Sequence, residues 1–303
     1  MNTIKKIEEV TVIDDEPMSR HTSWRAGGVA RHFVQAQSLT ALASYISTLD
    51  KAEELLWLGL GSNLLVRDGG YGGTVIATQG VMTQLEMIDD ATVYVGAGIA
   101  SAKLARFCSR HGLSGAEFFA GIPGLVGGAL AMNAGAFGGE TWPLVIEVET
   151  MNRQGEIKKR KASEFEYGYR SVKGLADEWF VSATLRLNKQ PVTGNTVDIK
   201  QLLAKRAASQ PTGVASCGSV FWNPEGHYAA QLIENCRLKG KRIGGAVVSQ
   251  KHANFIINDN DATAEDIESL ILFVQTTVKD ETGILLHPEV KIVGDRKSGD
   301  SQR

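Results

Sequence analysis

The chain has 303 residues, of which 43% are hydrophobic and 22% charged, as is typical of a globular protein with room for two or three domains. Its formal net charge of −2 provides no basic field for nucleic acid. The N-terminal stretch lacks the apolar run of a signal peptide, and Cys108, Cys217 and Cys236 show no metal-ligand or redox spacing. We therefore expect a cytoplasmic protein with reduced thiols, no metal, no nucleic-acid partner and no membrane association.

The first 80 residues predict a small βαβ-like unit. Ser38 is placed to cap a helix that runs to about Leu49. The glycine turn Gly59–Asn63 follows an apolar strand. The strands predicted here are His32–Gln37, Leu55–Leu60, Leu64–Val66 and Thr74–Thr78.

From about Val81 the pattern predicts an antiparallel sheet interrupted by helices. Ser101 is expected to cap a helix over Ala102–His111, which Gly112 closes. The turn Asn152–Gly155 joins two of the expected strands as a hairpin. The strands predicted here are Thr92–Val95, Val145–Thr150, Glu156–Lys161 and Trp179–Leu187.

A linker is predicted at Pro191–Asn195, and a third segment of mixed helices and strands follows it. Thr263 and Asp266 form a capping box that opens a long helix to about Lys279. The polar tail after Gly294 is expected to be disordered. Helices are also predicted at Val197–Ala208 and Tyr228–Cys236, and strands within Val214–Trp222 and at Ile243–Val248, Asn254–Ile257 and Val290–Val293.

The stretch Phe118–Gly139 contains seven glycines, one proline and no charge. Glycine weakens helices and strands by roughly 0.5–1 kcal/mol relative to alanine, so this density favours a backbone that something approaches closely. A phosphate-binding loop followed by a short helix after Pro123 is the favoured interpretation. A packed structural loop is the alternative. A membrane span is disfavoured because too little apolar side chain is present.

Three glycine turns lie within about 80 residues of each other: Gly59–Asn63, Gly96–Gly98 and Gly121–Gly128, each expected to follow a strand. None has the spacing of a dinucleotide fingerprint or a P-loop, and no Gly-x-Ser-x-Gly elbow is present. Together they suit one extended ligand that is touched at several points. A dinucleotide cofactor with a pyrophosphate has that shape, although the turns alone do not distinguish it from a large nucleotide.

Eight motifs in order resemble the UDP-N-acetylenolpyruvoylglucosamine reductase family over about residues 20–293. Only about 30 residues separate Leu187 from Gly218, without a tyrosine, so the chain resembles the shorter second type of the family. The motifs are His21-Thr-Ser-Trp-Arg-Ala-Gly-Gly28, Gly59-x-Gly-Ser-Asn-Leu-Leu65, Gly121-Ile-Pro-Gly-x-x-Gly-Gly128, Asn133-Ala-Gly-Ala136, Tyr167-Gly-Tyr-Arg170, Gly218-Ser-Val-Phe-x-Asn-Pro224, Lys251-His-Ala-Asn-Phe255 and Pro288-Glu-Val290.

The resemblance implies an α+β flavoprotein of the vanillyl-alcohol-oxidase (PCMH-type) class with three domains. FAD would lie between a small α/β domain, residues 1–80 completed by 288–303, and an antiparallel sheet domain, residues 81–189. A third domain, residues 190–287, would cover a nucleotide-sugar substrate. The implied reaction uses NADPH and non-covalent FAD to reduce the enolpyruvyl group of the substrate to a lactyl ether, which gives UDP-N-acetylmuramate for peptidoglycan. The chain is expected to be a monomer or weak oligomer.

By resemblance, Ser219 is the proton donor, Arg170 contacts the substrate carboxylate and Glu289 is the third catalytic residue. From spacing alone, Ser219 reads as a structural serine beside a turn, and Arg170 and Glu289 as surface residues. A glutamate near the substrate carboxylate would help only as an acid or while paired with Arg170, because two anions repel.

The remaining site predictions also come from the resemblance. For Lys205 and Arg206 a solvated helix face remains an equal alternative. Cofactor binding is expected at Gly59, Gly61, Ser62, Asn63, Leu64, Gly98, Gly121, Ile122, Pro123, Gly124, Gly127, Gly128, Asn133, Gly135 and Ala136, and substrate binding at Asn223, Lys251, His252, Asn254 and Arg206.

Two rivals remain open. One is an FAD-dependent oxidase of the same fold, many of which tether flavin through histidine, although no histidine lies in the glycine loops here. The other is a non-catalytic nucleotide-sugar or flavin binder, against which the joint presence of Arg170, Ser219 and Glu289 argues.

Overall fold

The computed structural model describes residues 3–189 and 199–297. Its first elements form a five-stranded sheet in the order β1-β2-β3-β6-β4, in which β3, β6 and β4 are parallel and the other pairs antiparallel. The elements are β1 (Ile4–Ile7), β2 (Val10–Pro17), a 3-10 turn (Met18–Arg20), β3 (Val29–Ala36), α1 (Leu39–Ser47), β4 (Leu55–Leu58), β5 (Leu64–Val66) and β6 (Tyr71–Ala77).

The βαβ prediction for this unit is confirmed. Ser38 caps α1, since its hydroxyl accepts a hydrogen bond from the Ala41 amide. Leu42 and Ile46 on the buried side of α1 pack on Ile76 in the middle of the sheet. The β1–β2 hairpin was missed, although the alternating burial of Val10–Ile13 is the period-two signal of a half-buried strand.

The next segment forms a second, antiparallel five-stranded sheet in the order β13-β12-β16-β8-β7, as predicted. Its helices pack against one face, with Leu104 and Leu130 in a common core with Val93. The elements are β7 (Leu85–Asp89), β8 (Thr92–Gly96), α2 (Ser101–Arg110), β9 (Leu113–Ser114), a 3-10 helix (Glu117–Gly121), α3 (Val126–Ala131), β10 (Gly135–Ala136), β11 (Gly139–Glu140), a 3-10 turn (Trp142–Leu144), β12 (Val145–Asn152), β13 (Ile157–Lys161), a 3-10 turn (Ala162–Glu164), β14 (Glu166–Gly168), β15 (Ser171–Lys173), β16 (Glu178–Arg186) and β17 (Asn188–Lys189).

The predicted cap of α2 is wrong. Ala100 is the N-cap and Ser101 is the first helical residue, with a buried hydroxyl that has no hydrogen-bond partner in the described part of the chain. The Ser101 amide instead donates to the carbonyl of Gly124, so contact with the glycine loop sets where the helix begins.

The third segment packs one long helix on a small antiparallel sheet, β18-β19-β20. The capping box at Thr263 and Asp266 is confirmed, with both reciprocal hydrogen bonds present. The elements are α4 (Ile199–Ser209), α5 (Ala229–Asn235), β18 (Arg242–Ile243), β19 (Ala246–Val248), β20 (Ile256–Asn258), α6 (Ala264–Thr282) and β21 (Lys291–Val293).

Two strand predictions in this segment are wrong. Ile243–Val248 is not one strand, because Gly244, at φ +49°, turns the chain between β18 and β19. Val214–Trp222 contains no regular strand; its single β-bridge joins Phe221 to Pro288. The predicted linker at 191–195, the first residues of the predicted helix at 197–208 and the tail beyond 297 lie outside the described residues.

The third segment is bound to the first by its final strand and by charge. β21 pairs in parallel with β5. The Arg67 guanidinium donates to both carboxylate oxygens of Glu268 at 2.8 and 3.0 Å. The Asp68 carboxylate accepts from the amides of Ala264 and Glu265, which open α6. The predicted domain limits at 80, 189 and 287 stay predictions. Within the described residues, no helix combines the length and apolarity needed to cross a membrane.

Candidate functional site

The three glycine turns meet in space. The Ser62 hydroxyl, in the first turn, donates to the carbonyl of Pro123 at 3.0 Å. The amide of Gly127 donates to the carbonyl of Ala97 in the second turn at 2.9 Å. The stretch Phe118–Gly139 is broken into a 3-10 helix, the six-residue α3 and the β10–β11 hairpin, so it is not a membrane-spanning helix. The glycine turn of this stretch, Gly121–Gly128, follows a 3-10 helix and not the predicted strand.

Several of these glycines are required by close packing inside the protein. Gly61 has φ +58°, and a Cβ there would overlap the carbonyl of His21. Gly124 has φ +113°, and a Cβ there would lie 2.8 Å from the Ser62 hydroxyl. Gly98 and Gly121 likewise have no room, against the carbonyl of Val81 and the ring of Phe137. Packing within the protein therefore accounts for glycine at these four positions without a ligand.

Gly128 is different, because a Cβ there would enter open space and its φ is ordinary for α3. It lies on the same loop as the tightly packed glycines. No packing constraint inside the described chain therefore accounts for glycine at this position. The open space at Gly128 leaves room for a group outside the protein to approach the backbone closely.

The polar side chains of the turns bond to protein. Asn63 donates to the carbonyl of Glu289 at 3.1 Å. Asn133 is fully buried at φ +44°; its amide donates to Glu140 and to the Gly168 carbonyl and accepts from the Trp142 amide. Their side chains thus tie loops together, and the expectation that Asn133 contacts a cofactor through its side chain is not supported. The Asn133 side chain is fully bonded inside the protein, so these turns offer a ligand chiefly their backbone.

That backbone has hydrogen-bonding capacity left. Among the described residues, no acceptor is bonded to the amides of Gly61, Ser62 and Asn63 in the first turn, or of Gly124 and Gly128 in the third. All but Gly128 belong to buried or partly buried residues, whose amides are normally paired, so this grouping marks a place where an external acceptor fits. The pyrophosphate of a dinucleotide has such acceptors, and the residues present therefore fit FAD.

The other predicted cofactor positions lie around these turns. Gly59 faces the side chain of Leu125, and Leu64 begins β5. Gly135 and Ala136 form β10, whose Gly135 carbonyl accepts from Arg170 at 3.0 Å. Ile122 and Pro123 join the 3-10 helix to the third turn.

A cleft of about 530 Å³ opens beside the first turn. It lies at the carboxyl ends of the parallel strands β3, β4 and β6, where open α/β sheets bind ligands. Sequence reasoning missed its polar lining, for which the positions of Gln35 and Gln79 directly at strand ends were an available signal. Its lining includes Arg20, His21, Gln35, Gly59, Leu60 and Gln79.

Arg170 and Glu289 come together from different segments. Arg170 occupies the turn between β14 and β15 at φ +53°, a conformation that costs a non-glycine residue on the order of 1 kcal/mol or more and that often marks functional sites. Its Nε lies 2.9 Å from Oε1 of Glu289 in an ion pair, although the N–H is not aligned for a hydrogen bond. Both side chains are largely buried.

Burial raises the pKa of Glu289 above its usual value, and the neighbouring Arg170 charge offsets only part of that effect. The pair can therefore bind an anion through Arg170 while Glu289 holds a proton more readily than a surface glutamate. Titratable side chains whose pKa is shifted by burial are concentrated at functional sites.

Ser219 lies on a short ribbon that also carries Glu289. The amide of Glu289 donates to the carbonyl of Val220 at 2.7 Å, and the amide of Trp222 donates to the carbonyl of His287 at 2.9 Å. The Ser219 hydroxyl is partly buried and has no hydrogen-bond partner in the described part of the chain. Ser219 thus directly precedes Val220, whose carbonyl accepts from the Glu289 amide across the ribbon, and its hydroxyl is not bonded within the described residues.

The predicted substrate residues separate into two groups. Asn254 is buried and engaged by both amide atoms with the backbone of Phe221, so it positions the Ser219 ribbon and does not face a ligand. Asn223 accepts from the Ala229 amide and is exposed, so its NH₂ group remains available.

Of the other predicted residues, Arg206 lies on α4 and Lys251 contacts this helix. The Lys251 ammonium donates to the carbonyl of Ala207, which ties its loop to this helix. His252 has a buried, unpaired Nδ1, and burial lowers its pKa. Arg206 bonds to Gln210, and burial lowers its pKa, whereas Lys205 is exposed. The solvated-face alternative thus describes Lys205 better than Arg206.

Comparison with known proteins first defines the class. Residues 30–160 match the FAD binding domain family, and residues 210–293 match the C-terminal domain of UDP-N-acetylenolpyruvoylglucosamine reductase. Together with the two sheets and the converging glycine turns, these matches define an α+β flavoprotein. The expected fold class and the expected FAD cofactor are confirmed.

Individual relatives then define the family. The chain is 54% identical to the UDP-N-acetylenolpyruvoylglucosamine reductase of Legionella pneumophila (strain Lens) over 94% of its length and 93% of that protein. It is 53% identical to that of Methylococcus capsulatus, covering 95% of each. The crystal structure of the Thermus caldophilus enzyme superposes with a TM-score of 0.76 at 28% identity, over 96% of this chain and 99% of that one. The chain belongs to the UDP-N-acetylenolpyruvoylglucosamine reductase family.

Proposed function

We propose that this chain catalyses the NADPH-dependent reduction of UDP-N-acetylenolpyruvoylglucosamine to UDP-N-acetylmuramate, in the cytoplasm, as a step towards peptidoglycan. The observation that carries the proposal is the largely buried ion pair of Arg170 and Glu289, which is hydrogen-bonded to the glycine-rich segments through Gly135 and Asn63, together with Ser219 on the ribbon that carries Glu289. An anion-binding guanidinium, a carboxyl of raised pKa and an unpaired hydroxyl are the groups that reduction of a carboxylate-bearing enol ether requires.

The backbone of the three turns would hold FAD without a covalent bond, since the described glycine loops offer no histidine for a tether. When bound, FAD supplies the redox chemistry by taking hydride from NADPH and giving it to the substrate. The protein's own part is to hold the substrate, to stabilise the negative charge that grows on its carboxylate and to provide a proton.

Arg170 would bind the substrate carboxylate. Its planar guanidinium can offer two parallel N–H donors to a carboxylate, and one nitrogen already donates to the Gly135 carbonyl, which fixes its orientation. The Nε is ion-paired with Glu289 but its N–H forms no hydrogen bond within the described residues, which leaves donor capacity for a ligand. Glu289, protonated, would donate a hydrogen bond to the same carboxylate, because an ionised glutamate would repel it.

Ser219 would deliver the proton to the carbon next to the one that accepts hydride. A serine hydroxyl is a weak acid in water, so it can act only on a strongly basic, enolate-like carbon held within hydrogen-bond distance. Its place in the ribbon supports this role, since Asn254 fixes the neighbouring Phe221 backbone from two sides.

Two half-reactions under anaerobic conditions test the proposal. NADPH added to the FAD-loaded protein should bleach the flavin absorbance, and UDP-N-acetylenolpyruvoylglucosamine should then restore it. Bleaching that the nucleotide sugar does not reverse would contradict the proposed substrate. Flavin that stays on the chain after denaturation would contradict non-covalent binding and favour an oxidase of the same fold.

A further inference from the structure

Resting on the proposed function, a second part of the substrate can be placed from the ribbon that carries Glu289. Phe221 and Pro288 are directly opposite each other across this ribbon. The next pairs outward are Trp222 with His287 and Val220 with Glu289, as the hydrogen bonds between these residues show. Because alternate residues of an extended chain share a face, Trp222 and His287 project from the same face as Glu289.

Trp222 and His287 form the open end of that face. Glu289 is largely buried, whereas His287 is exposed and Trp222 is 36% exposed. Their rings lie with centroids 6.5 Å apart at 40°, which confirms that the two side chains are neighbours. This face therefore runs from a largely buried carboxyl at Glu289 to exposed rings at Trp222 and His287.

Both rings carry donors that the protein does not use. The indole N–H of Trp222 can only donate, and a histidine ring offers one donor when neutral and two when protonated. Neither ring forms a hydrogen bond with any residue of the described chain. The Asn223 side chain, next in sequence, also keeps its NH₂ group free. This end of the ribbon is therefore a cluster of donors with no carboxylate bonded to it.

Spacing indicates which part of the substrate would meet the cluster. Residues two apart on an extended strand are separated by roughly 7 Å, and diagonal neighbours across a ribbon by about 7–8 Å. His287 and Trp222 hold these two relations to Glu289. One sugar ring separates the enolpyruvyl group from the diphosphate in the substrate, and this is a comparable span.

We infer that His287 and Trp222 bind the diphosphate of the nucleotide sugar, through the imidazole and the indole N–H, while Arg170 and Glu289 hold the enolpyruvyl carboxylate. The two donors would then reach the same anion from the two sides of the ribbon. A shorter member of the family thereby gains contacts to the nucleotide side of its substrate from the ribbon itself.

Binding of UDP to the FAD-loaded protein tests this inference with a readout that does not depend on turnover. Hydrogen bonds to charged groups are worth enough to change affinity by roughly tenfold or more. We expect His287→Gln to weaken UDP about tenfold and Trp222→Phe, which keeps the ring and loses the N–H, about threefold. Uridine, which has no phosphate, should bind all three proteins equally. His111→Gln removes another exposed histidine, on α2's C-terminal side, and should change nothing.

Steady-state kinetics separate this inference from the proposed function. For His287→Gln the KM for UDP-N-acetylenolpyruvoylglucosamine should rise by the same factor as the UDP dissociation constant, while flavin bleaching by NADPH is unchanged. Unchanged UDP affinity in both variants would overturn the inference, as would equal losses for UDP and uridine, which would place the nucleobase on the rings. Failure of the wild-type protein to reduce the nucleotide sugar at all would instead contradict the proposed function.

Discussion

The glycine turns and the Ser219–Glu289 ribbon differ in what each leaves unbonded. In the turns, the side chains of Ser62, Asn63 and Asn133 are bonded to protein, while backbone amides remain without acceptors. In the ribbon the reverse holds, because backbone groups are paired and the Ser219 hydroxyl is free. The turns can therefore hold a large ligand without titratable groups, and the ribbon can apply side-chain chemistry to a reacting atom.

The two regions are also linked physically. Asn63, in the first turn, donates to the carbonyl of Glu289 in the ribbon. Arg170, opposite Glu289, donates to the Gly135 carbonyl in the β10–β11 hairpin. Each side chain of the ion pair is thus positioned by the glycine-rich segments. The difference between the regions predicts that substitutions in one should affect chemistry and those in the other should affect cofactor binding.

The largest effect is expected at Ser219. Positioned proton donors contribute about 10²–10⁴-fold to rate, so Ser219→Ala should slow reoxidation of the reduced flavin by the nucleotide sugar by that factor. Flavin reduction by NADPH and FAD content should stay at wild-type levels, because the hydroxyl bonds to nothing in the described protein. Rapid-mixing absorbance of the two half-reactions measures both. Equal loss in both half-reactions would instead place Ser219 in folding or cofactor binding.

Local signals explain which parts of the fold could be predicted. Ser38 and the pair Thr263 and Asp266 act within one turn of the helices that they cap, so α1 and α6 follow from short stretches of sequence. The antiparallel sheet follows from alternation and from the Asn152–Gly155 turn. The errors occur where contact with a residue distant in sequence determines the local structure. Gly124 sets the start of α2, and Asn254 takes the place of a strand neighbour for Phe221.

For the candidate site, too, the sequence predicted the residues but not the contacts between them. That Arg170 and Glu289 form an ion pair could not be derived from spacing, because they meet only after the β14–β15 hairpin and the final ribbon have docked. The family motifs supplied the residues without their geometry. The same motifs did not reveal that the Asn133 side chain forms all its hydrogen bonds inside the protein. Its three partners come from separate loops.

The next largest effect is expected from a substitution at Gly128, which tests whether the glycine turns bind FAD. A Cβ at Gly128 meets nothing within 4 Å, and alanine favours a helix over glycine by up to about 1 kcal/mol, so Gly128→Ala should leave the FAD-free protein at least as stable. If the pyrophosphate lies against this backbone, FAD should bind about tenfold more weakly or worse.

Thermal unfolding of the FAD-free protein and flavin fluorescence titration measure the two quantities. Gly72→Ala is the matched control, because its Cβ also meets nothing within 4 Å and it lies in β6, away from the turns. It should leave FAD affinity unchanged. A Gly128→Ala protein that binds FAD as well as wild type would remove the third turn from the proposed cradle.

The smallest effect is expected at Glu289, where pH separates two roles. Burial raises its pKa above the ordinary 4.5, so the folded chain binds this proton more tightly than the unfolded chain. The linked contribution to stability is fully present below pH 4.5 and is lost as pH rises through the raised pKa. If protonated Glu289 donates to the substrate carboxylate, the rate of substrate reduction should fall over the same rise in pH.

Glu289→Gln keeps a donor that does not titrate. It should lower the rate only severalfold at low pH, and the decline with rising pH should disappear from the pH–rate profile of the substrate half-reaction. An ionised Glu289 acting through Arg170 gives the opposite sign, with a rate that falls as pH falls. Full activity at every pH in Glu289→Gln would show that Glu289 contributes no proton, which would leave Arg170 and Ser219 as the reacting side chains of the ribbon and its facing hairpin.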